Sequence, residues 1–216
     1  MAYPNPTYLM LNGSAPESGK EIPVKTVQVG ELTVLSGAVC GCDPGPYLNS
    51  ASTFTAPNGQ HPVYVTTADV SKHGDGSHLR MAYLSLMFTD SPIARIDTAI
   101  KIGGAPLDEG QVYGAVVDAA TVSFADASAV TFTPENDDWY TLSDHWEARM
   151  DDPSHYFQGV ANVELPGTSP QLNMILCHSG WGDGFYPIIE SYDAEGNVNG
   201  IHIDLQVLGD IPHEEK

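Results

Sequence analysis

The sequence predicts an α+β protein that is predominantly antiparallel β, a sandwich or curved sheet with one amphipathic helix (about 134–150) packed on a face. Three observations carry this. Short runs rich in Val, Ile, Thr and Tyr recur about every ten residues between Gly, Pro, Asp and Asn. Several of these runs alternate apolar and polar residues, the pattern of a strand with one covered face. A single segment instead repeats its apolar residues at helical spacing.

Residues 1–23 are rich in Pro, Gly, Asn and Ser and read as an irregular N-terminal arm. The strand-like runs then follow: "VKTVQV", "LTVLSGAVC", "HPVYVTTADV", "LRMAYLSLMF", "ARIDTAIKI", "VYGAVVDA", "TVSFA", "QLNMILC", "FYPIIESY" and "VNGIHIDLQVL". In "ARIDTAIKI", Ile96, Thr98, Ile100 and Ile102 fall on one face, which predicts a core side there and a wet side at Arg95, Asp97 and Lys101. By the same rule Ile201, Ile203, Leu205 and Val207 share a face opposite His202, Asp204 and Gln206. The helix rests on Trp139, Leu142, Trp146 and Met150, at i, i+3, i+7 and i+11. Thr133 before Pro134 supplies a cap and first position. Asp137 and Asp138 near its start and Arg149 near its end suit the helix dipole. Without repeats or a linker, 24–210 reads as a single globular domain and 211–216 as a tail.

Composition narrows the function classes. Eight Lys plus Arg against 28 Asp plus Glu give a formal charge of −20. That field repels a phosphate backbone and an anionic membrane surface, so neither nucleic acid nor membrane is an expected partner. It favours encounter with a basic protein. No apolar run approaches the roughly 20 residues of a spanning helix. "MAYPNPTYLM" has neither the basic region nor the apolar segment of an export signal, so a cytoplasmic location is expected. Cys40 and Cys42 sit too close for an ordinary bridge and Cys177 is left over, which predicts free, buried thiols. Oligomeric state stays open.

Candidate chemistry gathers at a few places. Cys177 and His178 adjoin in a strand-like run, where successive side chains point to opposite faces, so they cannot pair as nucleophile and base. "HGDGSH" offers His73, Asp75 and His78 but reads as a mobile connection. "DAEGNVNGIHID" mimics a calcium loop, yet Val198 stands where that loop needs Gly, and a hairpin turn is expected instead. Asp43, Asp118, Asp183 and Asp204 close strands or turns. Singly, each is expected to cap backbone N–H groups. Converging, they would form an acid–base or divalent-metal site, the one cofactor the chain gives reason to consider. In "SGWGDGFY", Gly180, Gly182 and Gly184 alternate with Trp181, Asp183 and Phe185. A turn is expected, with glycines at positive φ and Trp181 anchored in the core; the alternative is a strand whose bare face admits a second backbone.

The succession of "LSGAVCGCDP", "NGQHPVYV", "AVVDAATVSFAD" and "SGWGDGFYPIIESYDAEGNVNGIHIDLQVL" resembles domain-of-unknown-function family 4241 from about Gly30 to Leu208. The resemblance is carried by the Gly-Trp-Gly-Asp-Gly block with Tyr186–Pro187, and more weakly by Asp43–Pro44, Val117–Asp118 and Asp204. The family tends to Phe after that last Asp, where this chain has Leu205. The resemblance implies membership and no activity. From charge and the lack of a coherent catalytic motif, the expected function is a non-enzymatic binding protein for a basic partner, antitoxin- or immunity-like. The alternatives are a hydrolase-like or ligand-binding site on the four aspartates and a structural or assembly component.

Overall fold

Alternating apolar residues give each β-prone run a face to bury, and pairing those faces builds two sheets. The computed structural model describes residues 9–10, 12–17, 19–45, 47–108, 110–132, 139–152, 158–168 and 171–209. Its strands in chain order are β1 (Gly13–Glu17), β2 (Lys20–Val34), β3 (Ala38–Cys42), β4 (Ser52–Thr55), β5 (Gly59–Asp69), β6 (Leu79–Met87) and β7 (Arg95–Thr98). Then come β8 (Gly114–Val117), β9 (Thr121–Asp126), β10 (Val160–Leu165), β11 (Leu172–His178), β12 (Gly184–Tyr192) and β13 (Val198–Asp204). The larger sheet runs β1-β2-β5-β6-β13-β12-β7, with β8 also paired to β12, and the smaller runs β10-β11-β9-β3-β4. The pairings are antiparallel.

The sheets face each other across a shared core. Leu32, Val63, Leu84, Ile188 and Ile203 of the larger meet Val39, Phe54, Phe124, Ile175 and Cys177 of the smaller. Their closeness depends on Gly41 of β3, where an added Cβ would lie 2.8 Å from Ile188 Cδ1 across the interface. This is the predicted sandwich.

One helix, α1 (Trp139–Met150), covers the outer face of the smaller sheet. Trp146 and Met150, half of the predicted stripe, pack there with Cys40, Cys42, Met174 and Leu176. Arg149 in the last turn donates to the Asn162 carbonyl at 3.2 Å, tying the helix to β10. Thr133, Pro134, Asp137 and Asp138 lie outside the described residues, as do the side chains of Trp139 and Leu142 and the 211–216 tail.

The structure corrects three expectations. Residues 13–17 and 20–23 of the expected irregular arm are strand, because Gly13–Glu17 pairs with Lys20–Val24 as a marginal hairpin. Pro16 and Pro23 fit there, since a sheet margin tolerates missing N–H groups. The alternation in "ARIDTAIKI" stops at Thr98: Ile100 and Ile102 are 72% and 48% exposed, and Ala99 is buried instead. The chain there turns through Gly103 at φ +69, and Ile102 N–H bonds the Thr53 carbonyl at 2.8 Å. The presumed wet face of β13 is also covered, with His202 and Asp204 both buried. Beyond it Val207 leaves the inner face and joins Leu9, Ala15, Ile22, Tyr83 and Leu208 in a cluster outside the larger sheet.

Candidate functional site

The small residues after β8 make a tight turn, Asp118–Ala119–Ala120, with Ala120 held at φ 50. Its three successive N–H groups all meet carboxylates from distant parts of the chain. Asp43 Oδ2 accepts from Asp118 at 2.9 Å and from Ala119 at 2.6 Å. Asp183 Oδ1 accepts from Ala120 at 3.1 Å. Successive amides of this kind form a natural anion cradle, and here the protein fills it with its own side chains. Asp43 is fully buried at the exit of β3 and also accepts from Gly45 at 3.3 Å. Burial pushes its carboxyl above the ordinary range, against the pull of these three N–H bonds, and the neighbouring Asp118 charge adds to the rise.

The block after β11 closes onto this turn. Ser179 N–H bonds the Ala120 carbonyl at 2.9 Å, and Gly182 N–H returns to the Ser179 carbonyl at 2.7 Å. The Gly182 carbonyl accepts from Ser179 Oγ at 2.6 Å and from buried Tyr186 Oη at 2.8 Å. The three glycines have different reasons to be there. Gly180 lies against another backbone: a Cβ would sit 2.4 Å from the Leu205 carbonyl oxygen. Gly182 takes φ +101 in open space, a conformation that favours glycine. At Gly184 the nearest foreign atom to a Cβ would be 3.9 Å away, so nothing local demands glycine. The turn and the close backbone approach, posed as alternatives, are both present.

Trp181 reverses its expectation. It is 52% exposed rather than anchored in the core. Arg80 of β6 holds it from one side, with its guanidinium 5.1 Å from the ring centroid and Nη1 donating to the Gly180 carbonyl at 3.2 Å. Phe185 (46%) and Val116 (48%) are also exposed and directly opposed in the β8–β12 ladder. That ladder ends at Gly184 and Val117, so Asp183 and Asp118 follow at its end, both exposed. Trp181 and Phe185 are thus exposed aromatic side chains close in sequence, with the exposed carboxylates of Asp118 and Asp183 beyond the end of the ladder.

Asp43, Asp118 and Asp183 thus come together on one turn, through its amides rather than as a shared cage. Asp204 does not join them; buried at the end of β13, it accepts from Gln206 N–H at 2.8 Å and caps that residue's positive φ of 55. Among the described residues no group of three or more His, Cys, Asp or Glu is placed to hold a metal ion. Cys177 points into the core, where burial pushes its thiol far up, while His178 is exposed on the other face. Cys40 and Cys42 are free and buried. His73, Asp75 and His78 lie on the β5–β6 connection, and Asp193 closes the β12–β13 turn by accepting from Glu195 and Asn197 at 3.0 and 2.8 Å. No helix among the described residues is long and apolar enough to cross a membrane.

Two polar centres escaped the sequence reading. Asp126, fully buried, accepts N–H bonds from Leu35 at 2.6 Å, Ser36 at 2.8 Å and Ser128 at 2.8 Å, and the Ser128 hydroxyl as well. Burial raises this carboxyl, yet those bonds outweigh it and hold it below the usual range. The signal was legible, because "DAS" is an Asp with a Ser two residues on, the spacing of a side-chain-capped turn. The second is His202, which burial pushes down to about 3. Its Nε2 meets Ser191 Oγ at 2.8 Å, and Ser191 Oγ donates to Asn199 Oδ1 at 2.6 Å. The alternation of β13 had placed this imidazole in water.

The profile described as "Protein of unknown function (DUF4241)" matches residues 32–203. No curated protein and no solved structure matches the chain.

Proposed function

The chain belongs to the DUF4241 family of proteins of unknown function, and from that premise we propose that it is a non-enzymatic binding protein for a basic protein partner. The observation that carries this reading is the pair of exposed rings, Trp181 on a turn held by hydrogen bonds to Ala120, Arg80 and Tyr186, and Phe185 in the strand that follows it. Large aromatic rings held in solvent by a rigid scaffold are the residues that dominate protein interfaces. Asp118 and Asp183 beyond the end of the ladder, within a field of −20, select for positive charge and speed its encounter. The carboxylate-site alternative draws less support, because Asp43 and Asp204 spend their oxygens on backbone amides.

The test is quantitative capture with the full chain, followed by titration of each purified partner. A basic partner whose affinity drops at least tenfold with Trp181→Ala plus Phe185→Ala, and falls with salt, supports the reading. A partner indifferent to both changes would remove its basis.

A further inference from the structure

The strand β2 is 15 residues long, but β1 crosses only Lys20–Val24, whereas β5 pairs it on the other side as far as Val34. From Lys25 onward no strand among the described residues pairs with β2 on that side, which leaves a strand edge there. Side chains cap its two ends. Asn12 Oδ1 accepts Thr26 N–H at 2.9 Å. Asn173 of β11 accepts Thr33 N–H at 3.0 Å and donates to the Glu31 carbonyl at 2.9 Å. These bonds show which backbone groups face outward, and alternation puts Gln28 on the same side as Thr26. Between the caps the register shifts at Val29, a bulge that re-aims the edge.

Along this stretch runs a groove of about 560 Å³, within the range of ligand sites. Gln28, Glu31 and Gln60 line one wall; Asn162, Glu164 and Asn173 line the other, contributed by β10 and β11 of the smaller sheet. No Lys or Arg is among the described residues that line it. Neither the Glu31 nor the Glu164 carboxylate has an ion-pair partner among the described residues.

We propose that this groove takes an extended basic peptide segment, added as a strand on the open edge of β2. Backbone pairing at Gln28, between the capped groups, sets the register, and Glu31 and Glu164 receive Lys or Arg at alternate positions. A second copy of the chain would bring its own charge of −20 to the same acidic walls, which disfavours an edge-to-edge dimer. The groove shares no residue with the Trp181 turn, so this inference goes beyond the function proposed above.

Calorimetric titration of the full chain with an alternating Lys–Thr peptide tests it, beside the Glu–Thr counterpart and two Lys–Thr peptides N-methylated on either the Lys or the Thr residues. Strand addition requires that the Lys–Thr peptide bind, that one methylated set lose at least tenfold in affinity, and that the other be tolerated. Glu31→Gln with Glu164→Gln is expected to lose at least tenfold, with an unchanged circular dichroism spectrum. No binding, equal binding of the Glu–Thr peptide, equal binding of both methylated sets, or indifference to the glutamate changes would each overturn the proposal. Loss of peptide binding in Trp181→Ala would also overturn it, by relocating the peptide to the exposed aromatic ring.

Discussion

Replacing Asp43 with Ala tests whether the 118–120 turn is held from within. The side chain is fully buried and receives bonds at 2.9, 2.6 and 3.3 Å. Hydrogen bonds to a charged acceptor contribute about 1.5–3 kcal/mol each, and the two short ones dominate. Leaving those N–H groups without their acceptor costs about 1–3 kcal/mol each, and loss of the buried charge, which the raised carboxyl pKa marks as unfavourable at neutral pH, gives part of that back. A loss of about 3–4 kcal/mol in Asp43→Ala is the expected balance. Asp43→Asn keeps one oxygen for Asp118 and Ala119 and removes a buried charge that the raised pKa marks as unfavourable at pH 7, so a loss of no more than about 1 kcal/mol is expected. Urea unfolding followed by tryptophan fluorescence measures both at pH 7. A loss under about 1 kcal/mol in Asp43→Ala, or equal losses in the two variants, would refute the reasoning.

Further expectations follow from the same geometry. Gly180→Ala places a Cβ 2.4 Å from the Leu205 carbonyl and should cost about 3 kcal/mol or more, whereas Gly184→Ala, with 3.9 Å of clearance, should stay within about 0.5 kcal/mol; equal effects in urea melts would contradict the assignment. Asp126 has its carboxyl held low, so its contribution is present above the unfolded value of about 3.9 and is lost as pH falls through the lower folded value. Asp126→Asn should therefore lose stability relative to the native chain at pH 7, with the gap narrowing below about pH 4; a gap that widens in acid would reverse the sign. For Asp43 the sign is opposite: its raised pKa contributes stability below about pH 3.9 that is lost as pH rises through the folded value. Cys40, Cys42 and Cys177 are buried, so an aromatic disulfide reagent should modify them at the rate of unfolding, and rapid labelling of the native chain would contradict their placement.

Local patterns in the sequence were enough for the sandwich, the β11 orientation that separates Cys177 from His178, and the helical spacing of Trp146 and Met150. What escaped was set by distant contacts. The polar-looking face of β13 carries His202 and Asp204, yet residues from both ends of the described chain pack outside the larger sheet and the face is covered. Alternation in "ARIDTAIKI" continues in the letters beyond the point where the backbone turns at Gly103. The glycines of "SGWGDGFY" announced a turn, but the reason for Gly180 is the carbonyl of Leu205, just past the end of β13. Asp183 could be singled out from sequence; that it would clamp Ala120, 63 positions away, could not. Trp181 looked like core because tryptophan usually is, and only the folded turn reveals a ring half in solvent.

The most direct test of the central claim is the affinity of a purified, captured partner for the native chain and for Trp181→Ala plus Phe185→Ala, each across a salt series. A basic partner is expected, with binding that weakens steadily with salt and at least a tenfold loss in the double variant, its urea midpoint unchanged. An acidic or neutral partner bound equally by both proteins, at an affinity independent of salt, would contradict it.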